Sequence, residues 1–553
     1  MPVLALPAVG QVTTRISQLA NGAPTSEMSR SCDISASGRF VAFMSPDDGL
    51  AGASSTGQIF VCDRDPDGNG VFDEGNAALE LASASFGGGP GNSASDAPAI
   101  SRNGQFVVFV SASSNLVNLA DNNGPFPDVY VRDRASATTL RATGLGAIPQ
   151  PDNFVTGVAI SDDGRYVMLQ TLATNFAPSD FNARPDVYRL DLVTQTFTLV
   201  TASTAGQPAN LGGYSGDLSA DGRWIAFHSE STNLTSTPVA TQHVYLRDML
   251  AGVTAIVSRA TSGTLANQAS QNASLSADGR FVAFSSYATN LNPLDTTFNE
   301  DVYLRDTALS TTELVSVNSF GAKAAATGSV QSSEPDVSDD GDRIVFWSTA
   351  TNLWWNDAAF TDVYVRTRSS GQTRRASRSS AGVGGNANSA NFSGLACSGD
   401  GRSVAFASDA SNLVPLDSNG VSDVFVRALG DDPGVELGYA LVGSNGLIPT
   451  LEASGRLATG EQATLTLHHA QPNKLSVVFR SQVLNPHPFF GGTLVLGGPW
   501  ARTTIQTDAT GSASFSLGGG GGPADLYLHW LVRDGALAQH TGFSNALRVT
   551  LLP

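Results

Sequence analysis

The sequence predicts an all-β protein: a seven-bladed β-propeller over residues 12–429, then a β-sandwich over 437–553. Three observations predict it. A Ser-x-x-Gly turn recurs seven times, with its glycine at Gly38, Gly104, Gly164, Gly222, Gly279, Gly341 and Gly401, about 57 to 66 residues apart. Each turn leads into an apolar strand (FVAF, FVVF, YVML, WIAF, FVAF, IVF, VAF), and a later strand repeats as DVYVRD or a close variant. Finally, an unmatched strand at 12–17 (VTTRIS) precedes the first copy, while the seventh copy lacks a fourth strand.

The unit is clearest at 275–317. Leu275 and Ser276 form a short first strand. Residues 277–279 are a tight turn, where Gly279 supplies a positive φ. Residues 280–286 (RFVAFSS) are a second strand, rich in aromatic and β-branched residues. A polar loop at 287–300 follows, then strands at 301–306 (DVYLRD) and 311–317 (TTELVSV). The residue before the turn serine is apolar in every copy: Ile34, Ile100, Ile160, Leu218, Leu275, Val337 and Cys397. One such unit cannot bury both its faces. A solenoid and a propeller both stack units, and the chain ends decide between them. The strand at 12–17 resembles the missing fourth strand, so the ring closes with one strand from the start and three from the end.

The motifs S-x-D-G-R-x-V-x-F, A-T-N-L and D-V-Y-V-R-D resemble the TolB-like propeller family of bacteria, over roughly 12–427. The resemblance implies the fold and a periplasmic or extracellular setting. It does not imply one activity, because such propellers serve as protein-binding platforms, as substrate gates on peptidases and as scaffolds for other activities.

Composition narrows the rest. Charged residues are 14% and the net charge is −18, which argues against nucleic acid as a partner. Lys323 and Lys474 are the only lysines. Three cysteines (Cys32, Cys62, Cys397) do not make a disulfide scaffold. Cys397 stands where other blades place Ile, Leu or Val, so a buried thiol is expected. A Cys32–Cys397 bridge across the ring closure is the alternative, if their Cα atoms lie within about 7 Å. No run approaches the ~20 apolar residues of a membrane span. The apolar stretch 1–10 is short and has no basic flank, so it reads as a trimmed export signal or an ordinary N-terminus.

Blade 1 carries the sharpest motif. Asp63-Arg-Asp65-Pro-Asp67-Gly68-Asn69-Gly70-Val-Phe-Asp73-Glu74 matches the twelve-residue calcium loop D-x-D-x-D-G-x5-E. Asp63, Asp65 and Asp67 converge on one centre, Asn69 offers its carbonyl, and Glu74 closes the site with two oxygens. Its flanks are strands, so a structural staple is expected and not a helix-loop-helix switch. The alternative is an acidic hairpin tip without metal.

Other constellations read two ways. Asp121 with Asp128, Asp180 with Asp186, Asp295 with Asp301, Asp357 with Asp362 and Asp417 with Asp423 are either repeated cation sites or turn caps, and capping is favoured. In blade 4, His243 replaces the strand-opening Asp, and His228 lies near it. Such a pair is a transition-metal site or plain polarity. Trp354 and Trp355 in the blade 6 loop are candidate partner contacts, with packing as the alternative. Asp33, Asp217 and Asp336 lie on first strands, near a central channel.

After an acidic linker at 430–436, alternating runs at 463–468, 475–479, 493–496, 512–517, 526–532 and 547–552 suggest a β-sandwich. The runs SNAL at 544–547 and GGTLVLGGP at 491–499 resemble C-terminal β-domains of secreted bacterial repeat proteins. No G-x-S-x-G, H-E-x-x-H, P-loop or C-x-x-C motif is present. The expected function is therefore a secreted, calcium-stabilised, non-catalytic scaffold, monomeric, that binds a protein or polysaccharide of the cell envelope. The alternative is a carbohydrate-active, polysaccharide lyase-like enzyme built on the propeller around His228 and His243.

Overall fold

A computed structural model of the chain describes residues 12–429, apart from 51–54, 147, 177–181, 238, 327, 355–359 and 391–393. Beyond them it describes the backbone of strands between 434 and 551. Over 12–429 the strands form seven four-stranded antiparallel sheets. The last blade has the order 13–15, 423–428, 403–408, 395–397. Thr13 pairs with Arg427, Thr14 with Val426 and Arg15 with Phe425, so the N-terminal strand closes the ring. Ser17 Oγ donates to Asp423 Oδ1 at 2.6 Å, and the Arg15 guanidinium lies 3.7 Å from Asp417. These contacts extend a three-residue strand into a firmer latch.

The first strands are longer than the sequence suggests. In blade 5 the strand is Ser270–Leu275, not 275–276. Its register shifts between Gln271 and Ser274, and the same shift occurs in blades 1, 2, 3, 4 and 6. A bulge breaks the period-2 alternation that marks a strand in sequence. It also places Ser31, Ala97, Asn272 and Glu334 at φ between 48° and 51°, a region side-chain-bearing residues rarely adopt.

The repeated turn has a mechanical explanation. Its glycines have φ between 64° and 76°. A Cβ on Gly104, Gly164, Gly222, Gly279 or Gly341 would collide with Phe40, Phe106, Tyr166, Trp224 or Phe281 of the preceding blade. All of those rings but Phe106 sit under arginines: Arg39, Arg165, Arg223 and Arg280 lie 4.6–4.8 Å from the ring centroid of the next residue. Each of these arginines also grips the aspartate that ends the third strand: Asp63, Asp191, Asp248 and Asp306. Glycine, aromatic ring, arginine and aspartate thus form one stack that joins blade to blade.

The A-T-N-L motif is a clip between loops. Asn267 N–H donates to Asn290 Oδ1 and Asn267 Nδ2 to Thr289 Oγ1, both at 3.0 Å, while Asn290 Nδ2 donates to Leu265 O. Asn92, Asn210 and Asn386 make the same clip in blades 2, 4 and 7. The core lies between blades: Val282, Phe284 and Tyr303 of blade 5 pack on Ala226, Val244 and Leu246 of blade 4.

In the C-terminal part, one sheet has the order Gly434–Glu436, Gly542–Leu551, Ala524–Val532, Leu475–Phe489, Gly492–Gln506. A second has Thr450–Gly455, Gln462–His468, Ala513–Gly518. Gly434–Glu436, expected to be linker, therefore pairs into a sheet.

Candidate functional site

The two ends of the propeller channel differ. At the Ser-x-x-Gly end, backbone bonds run from blade to blade. Ala36 N–H donates to Arg102 O, Asp162 N–H to Ala220 O, Ala220 N–H to Ala277 O, Asp339 N–H to Gly399 O, and Gly399 N–H to Ala36 O, at 2.8–3.0 Å. Arg102 N–H donates to Asp162 Oδ1 at 2.8 Å. Across this ring the Arg102 guanidinium of blade 2 pairs with the Asp339 carboxylate of blade 6. A Cβ on Gly399 would strike both side chains and Ala36. This end is laced shut. Both ends of the propeller chain also leave here: Ala428 N–H donates to Val12 O, and Leu429 N–H to Arg402 O in the seventh turn.

The opposite end is open. A channel of about 700 Å³ is lined there by residues from all seven first strands, among them Arg30, Ser31, Asp96, Thr156, Asn272 and Glu334. The bulges turn Ser31, Ala97, Asn272 and Glu334 into this wall. Arg30 and Asp96 pair at 3.0 Å at the rim. Tyr214 opens the first strand of blade 4 and stacks on His228, with centroids 5.2 Å apart and planes at 17°. Sequence patterning does not reveal this rim, because a bulge hides the upper half of the first strand in six blades. The glycines and prolines inside those segments (Pro98, Gly157, Gly216, Pro335) were the available signal.

Deeper in, Asp33, Asp217 and Asp336 bridge neighbouring first strands. Asp33 accepts from Ile34 N–H and Ile100 N–H, both at 2.8 Å. Asp217 accepts from Leu218 N–H at 2.7 Å and Leu275 N–H at 2.9 Å, and Asp336 from Val337 N–H at 2.9 Å and Cys397 N–H at 2.7 Å. They are hydrogen-bonded strand residues at the channel wall. Removal from bulk water raises Asp33 to about 7, against its backbone donors. Burial, then the Asp336 charge, raises Asp217 to about 6.

The blade 1 loop lies on the laced face. Asp67 Oδ2 and Glu74 Oε2 both accept from the Asn69 amide, at 3.1 and 2.7 Å, so both reach one point between them. Asp65 accepts from Asn69 N–H and Gly70 N–H, each at 3.0 Å. These oxygen donors suit a hard cation. Asp63 is different, because Arg39 holds it at 2.6 and 2.8 Å in the pair that recurs in blades 3, 4 and 5. Among the described residues no three His, Cys, Asp or Glu side chains group as a metal-ion site.

The aspartate pairs are met by the chain's own groups. Lys323 sits between Asp295 and Asp301, Gln150 Nε2 donates to Asp121 and Asp128, and Arg375 pairs with Asp362. Asp180 and Asp357 lie outside the described residues. The strand-opening aspartates also accept a hydroxyl from Thr143, Thr201, Ser316, Ser377 or Ser17. His243 takes that role in blade 4, with Nδ1 2.8 Å from Ser258 Oγ. Ser229 is the cross-strand partner of His243, and His228 that of Val244. The two imidazoles therefore stand on opposite faces of the hairpin and do not share a metal.

Trp354 is buried, 8% exposed, with the Arg378 guanidinium 5.4 Å from its ring centroid. It packs and does not present itself to a partner; Trp355 lies outside the described residues. Cys32, Cys62 and Cys397 are free and buried, and Cys32 and Cys397 belong to separate core clusters. The bridge across the closure is absent. Burial pushes the Cys62 thiol up to about 12.

No helix of the described residues is long and apolar enough to cross a membrane. No family model matches the chain, and no curated protein matches it. Solved structures resemble it at low identity. A TolB-type protein of Agrobacterium tumefaciens is 15% identical over 64% of this chain and 94% of its own, with a TM-score of 0.33. A prolyl endopeptidase is 11% identical over 83% of this chain and 56% of its own, with a TM-score of 0.42. An exo-beta-1,3-galactanase of Phanerochaete chrysosporium is 11% identical over 85% of this chain and 98% of its own, with a TM-score of 0.24. These likenesses include enzymes and non-enzymes and decide nothing about activity; the propeller stands on the chain's own strand order.

Proposed function

We propose that the chain is a non-catalytic binding scaffold, exported to the periplasm or beyond, whose open face takes a protein or polysaccharide of the cell envelope. The observation that carries this reading is the contrast between the two faces. One is laced shut and holds both chain exits, which leaves the open mouth free for a partner. The C-terminal sheets serve as a β-sandwich accessory module. The lyase reading loses support because His228 and His243 point to opposite faces of their hairpin.

A pull-down with the full chain, from envelope extract and from a set of polysaccharides, tests the reading. Phe154 is 51% exposed at the open face, and Leu250 is 79% exposed on a hairpin of the laced face. Phe154→Glu should abolish capture and Leu250→Glu should keep it. Loss with Leu250→Glu alone would place the partner on the wrong face. Shortened or unsaturated sugar chains would make the protein an enzyme.

Calcium belongs to the same reading, with Asp65, Asp67, Asn69 and Glu74 as its ligands and Asp63 shared with Arg39. A ligand of the folded state at 100 times its Kd stabilises it by about 2.7 kcal/mol. Calcium should therefore raise the melting temperature over chelator, and Asp65→Ala should remove the response. Equal melting in both conditions would eliminate the metal.

A further inference from the structure

We propose that the rim of the open mouth over blades 3 to 5 is a glycan subsite, with the Tyr214 ring as its stacking platform and Thr156, Gln271 and Asn272 as its hydrogen-bonding flank. The inference deepens the scaffold reading and rests on it.

Tyr214 is the aromatic member of a ring of equivalent positions. The matching residues at the tops of the other first strands are Arg30, Asp96, Thr156, Gln271 and Ser333; in blade 7, where Ser389 pairs with Ser408 and Ala390 N–H donates to Ala407 O, the counterpart is the buried Ala390. The tyrosine is 41% exposed, yet one side of its ring is taken by the parallel imidazole of His228. That leaves the other side for a ligand. Burial holds His228 down at about 4, so the imidazole is neutral at ordinary pH and acts as a flat support, not a charge.

The surroundings suit a sugar. Tyr214 stands in the run Leu211-Gly212-Gly213-Tyr214-Ser215-Gly216. Gly212 has φ +69°, and a Cβ on Gly213 would meet Thr201 Cγ2 and His228 O. The strand thus leaves the ring uncrowded from its own side. In blade 3, Gln170 Nε2 donates to Thr156 Oγ1 at 3.0 Å. In blade 5, Gln271 and the strained Asn272 stand at the same height, and Asn272 faces the channel; Gln271 Nε2 donates to Glu300 and Asn272 Nδ2 to Ser333 Oγ, both at 3.0 Å, which fixes the two amides and leaves their carbonyl oxygens to accept from a ligand. An aromatic plate between neutral amides and hydroxyls matches a pyranose, which has an apolar C–H face and an equatorial belt of hydroxyls.

Other ligand classes fit less well. A peptide adding itself as a strand needs a regular edge, and the bulges interrupt the channel-facing edges in six blades. Nucleic acid would meet a net charge of −18.

Affinity electrophoresis and calorimetry on the full chain test this directly. The probes are cellohexaose, xylohexaose, laminarihexaose, maltohexaose and chitohexaose. At least one should bind. Tyr214→Ala should weaken that binding about tenfold or more, the size of a lost stacking contact. Tyr214→Phe should retain it, because the ring and not the hydroxyl carries the contact. Melting curves of both variants check that the fold is intact. No binding by any probe, or binding that persists in folded Tyr214→Ala, would overturn the subsite. If a protein is captured through the open face while every glycan fails, the subsite falls and the scaffold reading stands. If neither binds, both fall.

Discussion

The laced face and the open face of this propeller follow different rules. On the laced face every blade repeats a serine and a glycine at positive φ, and in five blades a backbone bond runs to the next turn. Most blades add an aromatic ring under an arginine. On the open face the blades diverge. Equivalent rim positions carry Arg30, Asp96, Thr156, Tyr214, Gln271 and Ser333. Repetition marks where the ring is held together, and divergence marks where it can recognise something. The calcium-type loop and both chain exits lie on the holding side.

The comparison can be broken at its strongest point first. Gly279→Ala places a methyl group against the Trp224 ring at φ +72°. It should cost about 3 kcal/mol, from left-handed backbone strain and overpacking together. Thermal or urea unfolding measures this, and a loss below about 0.5 kcal/mol, the scatter of ordinary surface changes, would mean that the stack does not hold the ring.

The next effect is pH dependence. Asp33 at about 7 and Asp217 at about 6 keep a proton in the folded state. An unfolded aspartate has lost that proton above about 3.9. Their contribution is complete below the unfolded value and is lost as pH rises through about 6 to 7. Asp191 and Asp248 run the other way. Their arginine partners hold them at about 2, so their contribution is present above about 4 and is lost as pH falls toward 2. His228 and His243, which burial holds at about 4, act in the opposite sense between about pH 4 and 6.5. The carboxylate effect is therefore read as a difference: the melting temperature of wild type relative to Asp217→Asn should fall between about pH 4 and 6 and stay constant above. A difference that stays constant from about pH 4 to 8 would show Asp217 to be ionised in the folded state throughout.

Arg223→Ala should lower the melting temperature far less than Gly279→Ala, because its side chain is 40% exposed and water screens the pair. The same variant should lose part of the acid-side dependence, since Asp248 then titrates closer to its ordinary range. The smallest effect belongs to the open face: Phe154→Glu should shift stability by about 0.5 kcal/mol or less, as a surface change outside the stack. A large loss there would erase the distinction between holding face and recognising face.

Much of the holding face was legible in the sequence, because its parts are local and repeated. Gly279 announces its turn, and the missing fourth strand of the last blade points to the strand at 12–17. The clip built by Asn267 and Asn290 was visible as a motif, though not as a mechanism. Asp63 was legible twice over, as position one of a calcium loop and as the end of a third strand. The grip of Arg39 on it leaves no trace in the spacing. The open face was far less legible. A bulge destroys the alternation by which a strand is recognised, so Ser270–Leu275 shrank to two residues in the sequence reading and Tyr214 fell outside any predicted strand. The one-residue register that separates His228 from His243 is set by pairing, which spacing alone does not reveal. Contacts such as Arg102 with Asp339 join blades far apart in sequence and leave no local trace.

The most direct measurement of the central claim is a hydrogen-exchange footprint of the full chain with whatever partner or glycan it captures. The account predicts slowed exchange in the open-face segments around 152–157, 210–216 and 268–273, with the turns at 101–104, 219–222 and 276–279 unchanged. Protection confined to the turns, with the rim exchanging as before, would contradict it.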